Sequence, residues 1–282
     1  MADNKFYGLR NDYMFKAALQ KCEEALRNLV AALLKIDEES ITECKIKNAI
    51  ELGQSVDSKD CVLDMKLERK HSEIIDLEVQ VRNENNWPER SLFYWSRAFD
   101  TIRSGEDYSK LKRTIHIGIL DFTLFRGNPS FYAEYQLMDT KTHWIYSDKI
   151  NIRILDLTKA EDVTEDQEDP RIVKWARIFK AETYQQLEEL AGDEEVFKKM
   201  AVIIEELSED EKIRQQCQAR EDYERRLIGQ YNQGLVKGNQ EGRLELIQNA
   251  LKSGSSPEEI ARVMGIAPEE VAKAQEQLLE LV

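Results

Sequence analysis

Two short stretches decide the fold: Cys61-Val62-Leu63-Asp64-Met65-Lys66-Leu67 and Ile74-Ile75-Asp76-Leu77-Glu78-Val79-Gln80-Val81. Side chains alternate across a β-strand. In the first stretch Leu63, Met65 and Leu67 share one face and leave Asp64 and Lys66 on the other. In the second, Ile75, Leu77, Val79 and Val81 share a face opposite Asp76, Glu78 and Gln80. The polar turn between them predicts a hairpin. If Lys66 lies opposite Asp76, Asp64 lies opposite Glu78; a two-residue slip keeps the same parity, so the register stays open. Either way Asp64, Lys66, Asp76, Glu78 and Gln80 gather on one polar face. Like charges directly across a ladder destabilise it, and a divalent cation between Asp64 and Glu78 would reverse that sign. Magnesium suits such a place, because it takes one or two carboxylates and keeps waters for substrate phosphate. The same alternation also suits a hairpin whose polar face simply meets water.

Outward from the hairpin, residues 11–36 read as helix with a break near Cys22, capped by Asn11 or Asp12. Further strand-like segments lie at about 45–52, 114–122, 131–138 and 150–157. A helix over 88–104 starts at Pro88, a residue suited to a first helical turn. Helix, three strands, helix and more strands make a mixed α/β domain over residues 1–160. Residues 161–228 read as an acidic helical extension in which Ile172, Trp175, Ala176 and Phe179 form one stripe. Gly229, Gly234, Gly238 and Gly242 then predict a weak helix or hinge, and a module boundary. Residues 229–282 are expected to be a glycine-punctuated linker and a helix-turn-helix-like tail. Ser256-Pro257-Glu258-Glu259 opens one of its helices and Pro268 the next. The last helix carries Lys273 among Glu269, Glu270, Glu276 and Glu280, so homodimer formation or docking suits it better than groove reading.

The 282 residues carry a formal net charge of −14, which by itself speaks against nucleic acid. The distribution alters that: the balance is −2 over 1–160, −11 over 161–224 and −1 over 225–282. Segment 82–113 is locally basic, with seven basic and five acidic side chains. Arg90, Arg97, Lys112 and Arg113 could therefore track a DNA backbone, although a solvated charged helix fits as well. Trp87, Phe93, Tyr94, Trp95 and Phe99 read as core or a partner face. Cys22, Cys44, Cys61 and Cys217 show neither a paired framework nor metal-ligand spacing, and His71, His116 and His143 show no paired spacing. The expected setting is reducing and cytoplasmic, with no leader and no membrane span.

The ordered series of motifs resembles the recombination-promoting nucleases of the Rpn type, also described as PD-(D/E)xK nuclease-family transposases. Asn11-Asp12-Tyr13-Met14-Phe15-Lys16 resembles the opening helix, Leu63-Asp64-Met65 the metal-binding Asp strand and Leu77-Glu78-Val79-Gln80 the Glu-x-Gln strand. Trp87, Arg90, Tyr94 and Arg97 resemble the next helix, Gly105-Glu106-Asp107-Tyr108 with Leu111 the link, and Ile115 to Phe125 the following strand and its end. The resemblance implies a restriction-endonuclease-like core, a mixed sheet flanked by helices, followed by a helical C-terminal region. It implies Mg²⁺-dependent hydrolysis of DNA phosphodiesters, with Mn²⁺ able to substitute, and a link to recombination or transposition. By position, Asp64 and Glu78 become the metal ligands. Gln80 stands where the wider superfamily has Lys; it positions by hydrogen bonding and brings no charge, and Lys66 could supply part of what is missing. Asp12 could add an acid, though helix capping is the plainer role. The alternative is a nuclease-fold binding module of weak activity, for which Gln80 and the acidic middle speak.

Overall fold

The computed structural model describes residues 5–46, 50, 52, 63–68, 73–102, 104–164 and 166–279, with the backbone alone for Lys45, 63–68 and Leu279. The chain divides into two compact units, Met1–Glu221 and Asp222–Val282.

The first unit opens with α1 (Asp12–Lys21) and α2 (Glu23–Leu34), which meet at Cys22 where the sequence predicts a break. Asn11 caps α1: its side-chain oxygen accepts from the Met14 amide at 3.2 Å. Strands β1 (Glu43–Ile46), β2 (Leu63–Glu68) and β3 (Glu73–Gln80) follow, then α3 (Trp87–Phe99) and β4 (Thr114–Leu120). Strands β5 (Tyr132–Met138) and β6 (Ile145–Asp156) end the sheet. Among the described residues the six strands form one sheet in the order β1-β2-β3-β4-β6-β5. The β3–β4 and β4–β6 pairs are parallel and the others antiparallel. The parallel β3–β4 pair needs a crossover, which contains α3.

One sheet face is apolar: Ile75, Leu77 and Val79 of β3 and Ile115, Ile117 and Ile119 of β4 are buried. They belong to one core with Phe15 of α1, Leu26, Leu29 and Leu33 of α2, and Trp175 and Phe179 of α4 (Pro170–Lys180). The predicted stripe of α4 is the buried side of that helix, and Pro170 begins it after an Asp169 cap. Arg153 from β6 reaches across the core and donates to the Leu33 carbonyl at 2.7 Å. It thus satisfies one of the carbonyls that the end of α2 leaves without a helical partner. The opposite face carries the polar positions of β3 and lies under α3.

Two expectations change and a third narrows to one of its alternatives. The helix over 88–104 ends at Phe99. Of the strand expected at 45–52, Glu43–Ile46 forms β1, while residues 47–49 and 51 lie outside the described residues. Of the weak helix or hinge expected around Gly229, the helix is what forms: α7 (Glu211–Lys252) runs through all four glycines. Gln230, Gln233, Leu235, Lys237, Gln240 and Glu241 between them, and the Glu, Arg and Leu of the flanking turns, are good helix formers whose summed preference opposes the cost of about 1 kcal/mol per glycine. Before α7, the acidic segment supplies α5 (Tyr184–Ala191) and α6 (Glu195–Glu209).

In the second unit, α8 (Pro257–Met264) and α9 (Pro268–Leu279) pack with the end of α7 through Ile247, Ile260, Ala261, Val271 and Ala274. Ser256 caps α8, accepting from the Glu259 amide at 3.3 Å. Gly265 closes the helix in the left-handed region at φ 62°, a conformation that costs glycine little.

Candidate functional site

The register of the hairpin is the two-residue slip. Asp64 pairs with Asp76, Lys66 with Ile74, and Leu63 with Leu77. The residue directly across from Asp64 is therefore Asp76, and Glu78 lies one step further along the same face. Parity is as read from the sequence, so position 64 shares the face of positions 76, 78 and 80. The side chains of Asp64 and Lys66, the turn with His71, and Arg103 all lie outside the described residues.

On β3 the face is built residue by residue. Asp76 is 1% exposed and Glu78 4% exposed. Burying carboxylates this deeply is costly unless each is paired, and each has one partner. Arg90, in the first turns of α3, donates from Nε and Nη2 to Glu78 Oε1 at 2.8 and 2.5 Å. His116, opposite Asp76 in the parallel β3–β4 pair, places Nδ1 2.8 Å from Asp76 Oδ2. Gln80 Nε2 donates to the Arg82 carbonyl at 2.8 Å. All three side chains are thus held through one atom only. The other atom is left over: Asp76 Oδ1, Glu78 Oε2 and Gln80 Oε1 are buried and have no hydrogen-bond partner among the described residues. An orphaned buried acceptor costs about 1–3 kcal/mol, and three in a row on one strand leave a stripe of oxygens wanting a donor or a cation.

The roof of this face is apolar. Trp87 is buried with Leu120 and Ile154, and its ring lies over Gly118, where a Cβ would stand 2.1 Å from the ring carbon Cζ2. Gly118 pairs with Glu78 across the β3–β4 ladder, so the absence of a side chain there lets the indole close over the strand beside the carboxylate. Tyr94 stacks in parallel with His116 at 6.4 Å. Burial pushes the Glu78 carboxyl above its ordinary value, against the opposing pull of Arg90. The site therefore holds its acid in surroundings where a second positive charge would be welcome.

Several sequence candidates have other engagements. Arg90, expected on a DNA backbone, is bound to Glu78; a half-buried guanidinium beside a buried carboxylate makes a strong charge-assisted pair. Arg113, expected in the same role, donates to Glu73 at 3.1 Å. Arg97 is exposed and lies over the Phe93 ring at 5.7 Å, while Lys112 is half-buried. Asp12 does not cap α1, since Asn11 does; its carboxylate is gripped by Arg220, with Nε 2.9 Å from Oδ1. Of the aromatic set, Trp87 is core and Phe93 is 56% exposed. The pairing of Asp76 with His116 is absent from the sequence reading. The only trace of it is that His116 shares strand parity with Gly118, opposite Ile115, Ile117 and Ile119.

Among the described residues no three His, Cys, Asp or Glu side chains converge as a closed metal cluster, and none of their helices is long and apolar enough to cross a membrane. Asp76, Glu78 and His116 are thus an incomplete ligand set by themselves. The orphaned oxygens of Asp76 and Glu78 are nonetheless the hard donors that a divalent cation prefers. No curated protein and no solved structure matches the chain. A family model described as PD-(D/E)XK nuclease family transposase matches residues 9–228, a span running from the first helix through the sheet and the acidic helices. With that match covering most of its length, the chain belongs to the PD-(D/E)XK nuclease family transposases.

Proposed function

We propose that the protein is a magnesium-dependent DNA endonuclease that hydrolyses phosphodiester bonds in recombination or transposition. The single observation that carries this reading is Glu78, clamped through Oε1 by Arg90 while its buried Oε2 has no partner among the described residues. A carboxylate fixed in this way is preorganised to give one oxygen to a cation. Asp64, on the neighbouring strand and the same face, is the proposed second ligand. When bound, Mg²⁺ or Mn²⁺ supplies a Lewis acid at the phosphate and a more acidic water.

The chain's own residues do the rest. Arg90 holds Glu78 in one rotamer and offsets its charge. Gln80, fixed through its amide nitrogen, presents Oε1 as an acceptor that can orient a water. It carries no positive charge, and Lys66 on the same strand face is the proposed source. Trp87 and Leu120 keep bulk water from the inner side of the carboxylates. The DNA backbone is assigned to Arg97 and Lys112, with Arg90 and Arg113 contributing charge from within their ion pairs. Asp12 serves the α1 end through Arg220. The C-terminal helices are the proposed homodimer surface.

Nicking of supercoiled plasmid with Mg²⁺ or Mn²⁺ tests this reading. Cleavage should occur in the wild type and disappear in Asp64→Ala and Glu78→Ala. Lack of cleavage with either metal on double- and single-stranded DNA would overturn it, and undiminished cleavage in both variants would do the same.

A further inference from the structure

We propose that Asp76, oriented by His116, is a further carboxylate ligand of the cation site. This rests on the nuclease reading above and extends it to residues that the Asp-and-Glu-x-Gln pattern does not include.

The first observation is the register. Asp64 lies directly across from Asp76, with Glu78 one alternate position further. Directly opposite positions in an antiparallel ladder bring side-chain roots to about 4.5–5.5 Å, whereas the diagonal neighbours stand about 7–8 Å apart. A cation reached by Asp64 and Glu78 across that diagonal is therefore beside Asp76. Two acids at facing ladder positions repel unless something positive lies between them, and the described partner of Asp76 is a histidine that engages Oδ2 alone.

The second observation is independent of the charge pattern. Asp76 Oδ1 is a buried oxygen without a partner among the described residues, on a side chain 1% exposed. Its orientation is fixed in the same manner as that of Glu78: one oxygen is engaged, by His116 Nδ1 here and by Arg90 there, and the other is left over. Metal-binding carboxylates are commonly held by such a hydrogen bond from a neighbouring group. His116 is itself wholly buried, flanked by Trp87 at 5.6 Å and Tyr94 at 6.4 Å, which fix its ring. A buried Asp–His pair serving packing alone would be expected to satisfy both partners; here Asp76 Oδ1 and His116 Nε2 are both orphaned. His116 acts through Asp76 and is a positioning residue.

The test is Mn²⁺ binding to the full chain, read from the free-ion paramagnetic resonance signal, with circular dichroism to verify folding. Wild type should bind Mn²⁺, and Glu78→Gln and Asp76→Asn should each weaken binding by about ten-fold or more. His116→Leu should weaken it on the order of ten-fold. His116→Asn should recover most of the loss, because its amide nitrogen stands as many bonds from the backbone as Nδ1 does. If Asp76→Asn fails to fold, the two His116 variants decide. Wild-type affinity in folded Asp76→Asn overturns the proposal while a loss in Glu78→Gln leaves the nuclease reading standing. Equal affinities in His116→Leu and His116→Asn remove the positioning role. Absence of any Mn²⁺ binding in the wild type overturns the proposal and the metal-site reading together.

Discussion

Gly118→Ala places a methyl group where the Trp87 indole lies. The new Cβ would stand 2.1 Å from Cζ2, 2.8 Å from Cη2 and 2.9 Å from Cε2. Ordinary contact begins near 3.4 Å, so the ring must retreat by about 1.3 Å, and it is 1% exposed with Leu120 and Ile154 against it. Overpacking of this kind costs roughly 1–3 kcal/mol. Alanine returns about 0.4–1 kcal/mol by restricting the unfolded chain. The net loss is thus up to roughly 2.6 kcal/mol, which at about 2–4 °C per kcal/mol lowers the melting temperature by up to about 10 °C. Function should suffer more than stability. Trp87 begins α3, and Arg90 lies one turn on, so a displaced indole carries the guanidinium away from Glu78. A misplacement of about 1 Å in a catalytic arrangement can cost about 100-fold in rate. Urea and thermal unfolding followed by tryptophan fluorescence give the first quantity, and plasmid nicking the second. Trp87→Leu in the Gly118→Ala background should recover part of the stability, because it removes the obstructing ring. Wild-type melting and nicking in Gly118→Ala would refute the packing argument.

Other changes read different parts of the molecule. Arg90→Met strips the buried Glu78 carboxylate of its counter-charge and should destabilise the protein by on the order of 2–3 kcal/mol in urea unfolding, with a smaller loss in the Arg90→Met, Glu78→Gln double variant. Asp12→Asn breaks a pair in which Arg220 is bidentate; melting should fall with Mn²⁺ affinity unchanged, and a specific loss of affinity would restore Asp12 to the site. Gly234→Ala in α7 meets nothing within 4 Å, and circular dichroism should show a helix stabilised by up to about 1 kcal/mol. Burial raises the Glu78 carboxyl above its ordinary value of 4.5. A raised acid contributes stability that is fully present below its unfolded value and is lost as pH rises through the folded one. The metal-free protein should therefore lose this contribution as pH rises above about 4.5, while the Mn²⁺-induced gain in melting temperature grows, because the cation needs the ionised form. A gain that does not grow as pH rises above about 4.5, or one unchanged by Glu78→Gln, would contradict that assignment.

Much of the fold was legible because its signals are local. The alternation of Ile75, Leu77 and Val79 against Asp76, Glu78 and Gln80 sets the two faces of β3 before any partner is known. The cap at Asn11, the proline at the head of α3 and the stripe of α4 are equally local. What escaped depends on pairing. Parity cannot separate two registers that differ by two residues, so the acid facing Asp64 was undecidable between Glu78 and Asp76. His116 meets Asp76 only through the parallel β3–β4 register, set by a crossover of more than thirty residues between the two strands. Arg90 looked like a phosphate ligand because charge counting is blind to helical phase; its position on α3 turns it down onto Glu78. The glycines of α7 leave helix and hinge both open in the sequence, since a local penalty is set against helix-forming neighbours along the whole element.

The central claim is that Glu78 Oε2 binds a divalent cation together with an acid from the adjoining strand. Anomalous scattering from crystals of the full chain grown with Mn²⁺ addresses it most directly. The account predicts a single strong peak on the polar face of the β2–β3 hairpin, in direct coordination with Glu78 Oε2, with Arg90 still on Oε1. A Mn²⁺ peak placed elsewhere, with Oε2 bonded instead to a protein donor, would contradict it.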